Sequence, residues 1–201
     1  FLEHMMFKGT KKRPSNKISK QLDNVGAGYN AATSYETTYY YIYGHKNDTK
    51  LFIDIIVDLY SNPLFKTEDI KKERNVVLEE YNMYNDDIGE ILMEEIQKKM
   101  YNNSPLGMPI LGTPKNIKNF SRTDLVKFRK KFYIPSRTVL VISGNFDRHK
   151  VYDQLYDLFK RPTKYTKNRH LTNVKSLLQI KRPIKQTMPY VYIKEDNSIS
   201  Q

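Results

Sequence analysis

The sequence has no cysteine and very little histidine. Without a single Cys in its 201 residues, the chain can form neither a disulfide nor a cysteine-ligated metal site. Its four histidines leave few candidate imidazole ligands for a metal. It also lacks any apolar run approaching the roughly 18 residues that a membrane-spanning helix needs, so we predict no membrane span.

Basic residues outnumber acidic ones, and the formal net charge is +12. Such a charge is compatible with a nucleic-acid or anionic membrane partner. However, no nucleic-acid-binding motif is present, and the basic residues lie in short, separated groups such as Lys11–Arg13, Lys71–Lys72 and Arg129–Lys131. We therefore interpret the charge as a lysine-rich surface and predict no nucleic-acid partner.

Acidic residues, in contrast, are concentrated in one stretch. Between Asn75 and Ile96 there is no Lys or Arg, and the stretch contains Glu79, Glu80, Asp86, Asp87, Glu90, Glu94 and Glu95. A local acidic surface can attract basic peptides, but the same residues also suit a solvated helix face. Both interpretations of residues 79–95 stay open at this point.

Hydrophobic spacing and capping residues predict a mixed order of helices and strands. Helices are predicted up to Phe7, from Pro14 to Gly26, and over Asp48–Tyr60, Thr67–Tyr84, Ile88–Met100, Ser121–Phe132 and Asp147–Phe159, with Thr67, Ser121 and Asp147 as N-caps. Strands are predicted as a pair over Gly28–Gly44, and over Thr138–Ser143 and Met188–Ile193, with loops over Ser104–Thr113 and Arg161–Asn173. This order predicts an α+β fold in which helices pack on one face of a mixed, largely antiparallel sheet. We expect one domain over residues 1–201, with residues 186–201 as the start of a following domain or a linker.

The chain begins with an informative pair, Glu3 and His4. A helix carrying His-x-x-Glu-His presents two imidazoles one turn apart with a carboxylate between them, which is the inverted zinc-peptidase motif. Here the first histidine of that motif would stand directly before Phe1. We therefore expect that the sequence begins inside the motif, one zinc ligand short, and that the absence of a leader segment carries no information.

A second pair of acidic residues, Glu73 and Glu80, lies on a predicted helix. Seven residues separate them, which is two helical turns, so both side chains point the same way. On an isolated helix such residues most simply reach solvent at the edge of an apolar stripe. A catalytic zinc site, however, needs three protein ligands, and one of these glutamates could supply the ligand that the N-terminal motif does not.

Four segments together resemble one family, the pitrilysin, insulysin and mitochondrial processing peptidase family. They are Phe1–Thr10, Asn30–Ser34 followed by Glu36, Thr38 and Tyr39, Glu73–Glu80, and the weaker pair Pro105–Gly107 and Ile110–Thr113. Their order and the separation of 80 − 4 = 76 residues between His4 and Glu80 fit the family. The resemblance extends from Phe1 to about Ile193 and implies one half of a clamshell-type metallopeptidase.

The resemblance implies a role for each matching residue. Glu3 would be the general base of a zinc peptidase, and His4 and Glu80 would be zinc ligands. Glu73 would be a catalytic-site residue that maintains the geometry and charge of the site. An exposed edge strand would bind the substrate backbone through Asn30, Ala31, Ala32 and Thr33.

The predicted function is therefore that of a zinc-dependent metalloendopeptidase acting on unfolded or extended peptides, in the cytoplasm or the mitochondrial matrix. Its expected partners are a peptide or protein substrate and a second homologous domain or subunit that completes the chamber. Because one ligand and that second half are missing, we expect this fragment alone to be inactive. The alternative is a non-catalytic structural or substrate-binding subunit of the same family.

Overall fold

The computed structural model describes residues 1–14, 16–102 and 104–160, with no side-chain description at 159 and 160. The helices are α1 (Leu2–Met6), α2 (Lys17–Asp23), α3 (Thr49–Ser61), α4 (Thr67–Asn85), α5 (Ile88–Met100), α6 (Pro114–Asn119), α7 (Arg122–Phe132) and α8 (Arg148–Lys160). The strands are β1 (Gly28–Thr33) and β2 (Thr38–Tyr43). The predicted loop Arg161–Asn173, the strand Met188–Ile193 and the segment 186–201 lie outside the described residues. The α+β class is confirmed, with a two-stranded antiparallel sheet in the described part.

The predicted strand pair forms a hairpin whose register runs from Gly28 opposite Tyr43 to Thr33 opposite Thr38. Alternation along β2 turns Tyr40 and Ile42 toward the helices and leaves the other three tyrosines of the strand facing outward. The outward row is Tyr39, Tyr41 and Tyr43, whose rings follow one another at centroid distances of 6.1 and 6.2 Å. A Cβ on Gly28 would lie 2.2 Å from the Tyr43 ring, so the close approach of that ring requires glycine.

Three clusters of buried apolar side chains hold the helices together. The cluster around α1 contains Met5, Met6, Phe65, Ile70 and Leu125. A second joins α2 to α3 and the hairpin, and a third joins α3 to α8. Since the first cluster includes Ile70 of α4, the same packing that buries α1 fixes its position beside α4.

The capping predictions are correct for two helices and wrong for a third. Ser121 and Asp124 form a reciprocal capping box at the start of α7, and Asp147 accepts the His149 and Lys150 backbone N–H groups at the start of α8. Thr67, predicted as an N-cap, is instead the first helical residue of α4, because Lys66 takes the capping position without a side-chain hydrogen bond.

Two further predictions differ from the structure. Residues 138–143 form no strand, and Val139 and Val141 are 86% and 77% exposed. A short apolar run does not by itself establish a strand, and no described strand pairs with residues 138–143. Helix α6 was not predicted, although Thr113 caps it and Pro114 occupies its first position.

Within the described residues, no helix is both long and apolar enough to cross a membrane.

Candidate metal and catalytic site

The short helix α1 brings the N-terminal motif to the surface of α4. Met5 and Met6 are fully buried, and they anchor one side of α1 in the core. The other side carries Glu3 and His4, which remain partly exposed. The sequence motif is thus placed on a helix whose apolar side determines where its polar side points.

His4 lies between the two glutamates of α4. Its Nδ1 donates to Glu73 Oε1 at 3.0 Å, and its Nε2 lies 3.5 Å from Glu80 Oε2. Two turns of helix between Glu73 and Glu80 place one carboxylate at each ring nitrogen. The structure therefore brings together three of the four residues that were predicted for the metal and catalytic site, at a single imidazole.

Glu73 is the buried member of this group. Its side chain is 7% exposed, and its second oxygen, Oε2, lies 2.5 Å from Lys8 Nζ. A buried carboxylate is strongly unfavourable unless it is paired and hydrogen-bonded, and here both oxygens are paired. The apolar stripe of α4 therefore tolerates Glu73 because α1 and the residues just after it supply both partners.

Glu80 differs, because one of its oxygens has no hydrogen bond. The Oε2 atom is buried, and the described part of the structure provides it with no hydrogen-bond partner. Its nearest basic neighbour is His4 Nε2, at a separation of 3.5 Å that is long for a hydrogen bond. An unpaired buried carboxylate oxygen facing an imidazole nitrogen is an arrangement that a bound cation would complete.

Glu3, the predicted general base, contacts the end of β1. Its Oε2 accepts a short hydrogen bond from the Thr33 hydroxyl. Thr33 is the last residue of β1, so the carboxylate is adjacent to the strand that was predicted to bind substrate. This side-chain contact was not predicted, since the family resemblance implied only a role for Thr33 in binding the substrate backbone.

The predicted substrate strand, formed by Asn30, Ala31, Ala32 and Thr33, lies within β1. Among the described strands, β1 pairs with β2 only, which leaves its other edge without a described partner. The Asn30 side chain accepts a hydrogen bond from the Ala31 backbone N–H at 2.8 Å. The structure thus places the strand beside Glu3, and its role in binding remains a prediction.

A partly buried tyrosine pair lies behind the same strand pair. Tyr40 and Tyr133 share a hydrogen bond of 2.9 Å between their hydroxyl groups. Burial, reinforced by the neighbouring Tyr133, raises the pKa of the Tyr40 phenol far above its usual range. The pair is therefore neutral, and it links β2 to the residue that follows α7.

The chemistry of these donors fits zinc, although the described residues do not form a complete site. No group of three His, Cys, Asp or Glu side chains in the described residues is arranged to hold a metal. Two ligands of a tetrahedral zinc, with bonds of about 2.0–2.2 Å, lie about 3.3–3.5 Å apart. The 3.5 Å between His4 Nε2 and Glu80 Oε2 agrees with that spacing, so the pair suits two of the three ligand positions.

Comparison with known families now identifies the chain. The family model described as "Insulinase (Peptidase family M16)" matches residues 1–114, and the model described as "Peptidase M16 inactive domain" matches residues 119–200. The chain belongs to peptidase family M16. The resemblance inferred from the four sequence motifs is thereby confirmed, and all predicted site residues fall within the first of the two matches.

Relatives with curated names include bacterial and mitochondrial proteins. An uncharacterized zinc protease of Rickettsia bellii is 36% identical over 168 residues, which are 84% of this chain and 41% of that protein. The mitochondrial-processing peptidase subunit beta of Homo sapiens is 37% identical over 160 residues, 80% of this chain and 32% of that protein. The chain therefore spans less than half the length of these relatives.

A solved structure supports the fold. A protease from Helicobacter pylori superposes with a TM-score of 0.75 at 24% sequence identity, covering 80% of this chain and 39% of the other. The shared architecture corresponds to about two fifths of the Helicobacter pylori chain. At this level of identity the likeness shows the fold alone.

Proposed function

We propose that the protein containing this chain is a zinc-dependent metalloendopeptidase that hydrolyses unfolded or extended peptides. The observation that carries the proposal is the buried Oε2 of Glu80, which lies 3.5 Å from His4 Nε2 and has no hydrogen-bond partner in the part of the chain that the structure describes. Family membership supports it, and so does the name zinc protease given to the Rickettsia relative.

In this proposal, His4 and Glu80 hold zinc together with a histidine directly before Phe1. Phe1 directly precedes α1, the helix that carries Glu3 and His4. A residue attached to its nitrogen would therefore stand next to the other proposed ligands.

When bound, zinc would polarise the scissile carbonyl and make a water molecule easier to deprotonate. Glu3 would take the proton from that water and pass it to the leaving amine. The Thr33 hydroxyl, which donates to Glu3 Oε2, keeps the carboxylate oriented beside β1. Glu73 would hold the His4 ring by accepting its Nδ1–H, so that Nε2 keeps its lone pair for the metal.

The substrate would add a strand to the edge of β1 that has no partner among the described strands, along Asn30, Ala31, Ala32 and Thr33. Backbone pairing of this kind recognises an extended peptide with little dependence on its side chains. Because the Thr33 hydroxyl contacts Glu3, a peptide on this edge would pass directly beside the general base.

A second homologous domain or subunit would complete the chamber. The chain spans only 41% and 32% of the two relatives described above, which leaves room for that half. This chain alone is therefore proposed to bind zinc weakly and to lack turnover. The compartment is proposed to be the cytoplasm or the mitochondrial matrix, since one relative is named for mitochondria. The non-catalytic alternative is not favoured, because Glu3, His4, Glu73 and Glu80 are all present.

The deciding experiment replaces Glu3 by Gln in the full-length protein. We expect peptide cleavage to fall by about 10²- to 10⁴-fold, since a positioned general base contributes that much, while zinc content is unchanged. Glu68→Gln, at an exposed position in the first turn of α4, is the matched control and should retain cleavage. Full activity in the Glu3 variant would overturn the proposal.

A further inference from the structure

Lys8 contacts Glu73, but the proposed mechanism gives Lys8 no role. Its ammonium lies 2.5 Å from Glu73 Oε2, while Glu73 Oε1 accepts from His4 Nδ1 at 3.0 Å. Lys8 lies in the turn that follows α1, four residues after His4, and both side chains reach the same carboxylate. Glu73 is therefore held from two sides, by the imidazole on one oxygen and by the ammonium on the other.

The charge balance of Glu73 depends on Lys8. A histidine that binds a metal is a neutral imidazole, so His4 offers Glu73 a hydrogen bond but no positive charge. The Glu73 side chain is 7% exposed, whereas that of Lys8 is 40% exposed. Lys8 thus reaches from the surface to a buried carboxylate that would otherwise be uncompensated, which is the arrangement that makes a buried charge tolerable.

From this geometry we propose that Lys8 is a positioning residue of the metal site. It fixes Glu73 in the one orientation that accepts from His4 Nδ1, and thereby directs the unprotonated Nε2 of His4 toward Glu80. This inference rests on the proposed function in one respect, namely that His4 binds zinc through Nε2. Lys8 itself contacts neither metal nor substrate.

If Lys8 acts only through its charge, or if it positions Glu73, its replacement should change zinc affinity in opposite directions. A positive charge near a divalent cation weakens its binding by Coulomb repulsion, so removing that charge should tighten zinc binding. Loss of a group that orients a ligand typically weakens metal affinity by roughly 10- to 100-fold. The sign of the change on replacing Lys8 therefore separates a positioning residue from a neighbouring charge.

The first measurement uses the 201-residue chain without metal. The ¹⁵N shifts of the His4 ring report which nitrogen carries the proton. In the wild-type chain we expect the proton on Nδ1. In Lys8→Met we expect a mixture of the two tautomers, and in Lys8→Arg a return to Nδ1, because a guanidinium also binds a carboxylate.

The second measurement is zinc affinity in the full-length protein, by competition with a chelator. Lys8→Met should lose roughly 10- to 100-fold, and Lys8→Arg should remain within a few-fold of the wild type. Lys98→Met, which removes an ion pair with Glu95 on the exposed side of α5, is the matched control and should change neither measurement. Circular dichroism of every variant identifies any that fails to fold.

The possible outcomes are distinct. If Lys8→Met folds and its zinc affinity is unchanged or higher, with the His4 proton still on Nδ1, the positioning role is wrong. If His4→Ala also leaves zinc affinity unchanged, the proposed metal site itself is wrong. Weaker binding with a mixed tautomer in Lys8→Met and rescue in Lys8→Arg would establish the role.

Discussion

Two charged clusters tie the N-terminal segment to two different helices, and they differ in how completely their polar atoms are paired. The anchor cluster joins Thr10 and Arg13 to Asp54 and Asp58 of α3. The site cluster joins His4 and Lys8 to Glu73 and Glu80 of α4.

In the anchor cluster, Asp58 accepts from Thr10 at 2.6 Å, from Arg13 at 2.7 Å and from Asn62 at 3.0 Å. Arg13 also donates to Gln21 and to Asp54. Arg13 and Asp58 are both buried. A buried network with this many partners fixes the chain in one arrangement and has little capacity left for a ligand.

In the site cluster, Glu73 is paired on both oxygens, but Glu80 Oε2 has no hydrogen-bond partner among the described residues. The His4 and Glu80 side chains are also more accessible, at 26% and 34% exposed. The comparison indicates that the anchor cluster serves stability, whereas the site cluster keeps a carboxylate oxygen to which the described residues offer no hydrogen bond. The predictions below address that distinction.

The largest expected effect is on the anchor cluster. Arg13→Met leaves Asp58 buried without its cation, and breaking a buried ion pair typically destabilises a protein by about 3–5 kcal/mol. Urea unfolding of the 201-residue chain measures the loss, with Lys98→Met as the surface control. A change below about 1 kcal/mol would show that the cluster does not act as a buried network.

A smaller effect is expected from pH acting on Asp54. Burial alone would raise the pKa of this carboxyl, but hydrogen bonds and charges from Lys12 and Arg13 outweigh it and lower the pKa. Asp54 therefore contributes stability above the pKa of the unfolded chain, about 3.9, and this contribution is lost as pH falls through the lowered folded value.

Asp54→Asn should accordingly be less stable than the wild type near neutral pH, with a difference that narrows below about pH 4. Unfolding free energies measured between pH 7 and pH 3 provide the test. Asp153→Asn, at an exposed position of α8, controls for the loss of one surface charge. A difference that is constant over this range would contradict the assignment.

For Glu80 we expect almost no loss of stability. The amide of Glu80→Gln can donate to His4 Nε2, and the substitution removes a negative charge whose buried Oε2 accepts no hydrogen bond from the described residues. The unfolding free energy should remain within about 1 kcal/mol of the wild type or rise. A loss as large as that of Arg13→Met would mean that the site cluster contributes to stability as the anchor cluster does.

The smallest effect concerns the acidic stretch 79–95, whose residues Asp86, Asp87, Glu90 and Glu94 are exposed. If this surface attracts substrates, the full-length protein should cleave basic peptides a few-fold more efficiently than neutral ones of equal length at low salt. The preference should fade at high salt, because exposed charges are screened. Equal efficiencies at low salt would favour the solvated helix face.

Sequence patterns predicted the elements that depend on local signals. The alternation in β2 and the capping box at Ser121 are complete within a few residues, and both are present in the structure. Helix α6 was missed because its Thr113 cap lies in a segment rich in Pro and Gly. The strand predicted over residues 138–143 was wrong, because its apolar run carried no information about a pairing partner.

Part of the candidate site was predictable because it also depends on local sequence signals. Helical spacing placed Glu73 and Glu80 on one side of α4, and the motif placed Glu3 and His4 together. The contacts of Lys8 with Glu73 and of Thr33 with Glu3 were missed, although the spacing of four residues between His4 and Lys8 was visible. The buried network of Arg13 and Asp58 was also missed, since charged residues of this kind are usually exposed.

Zinc titration of the full-length protein, wild type against Glu80→Gln, tests the central claim most directly. The account predicts that the wild type binds one zinc ion per chain, and that Glu80→Gln loses this binding while remaining as stable as the wild type. Equal zinc affinity in the two proteins would contradict the claim that the unpaired carboxylate oxygen beside His4 is a metal ligand.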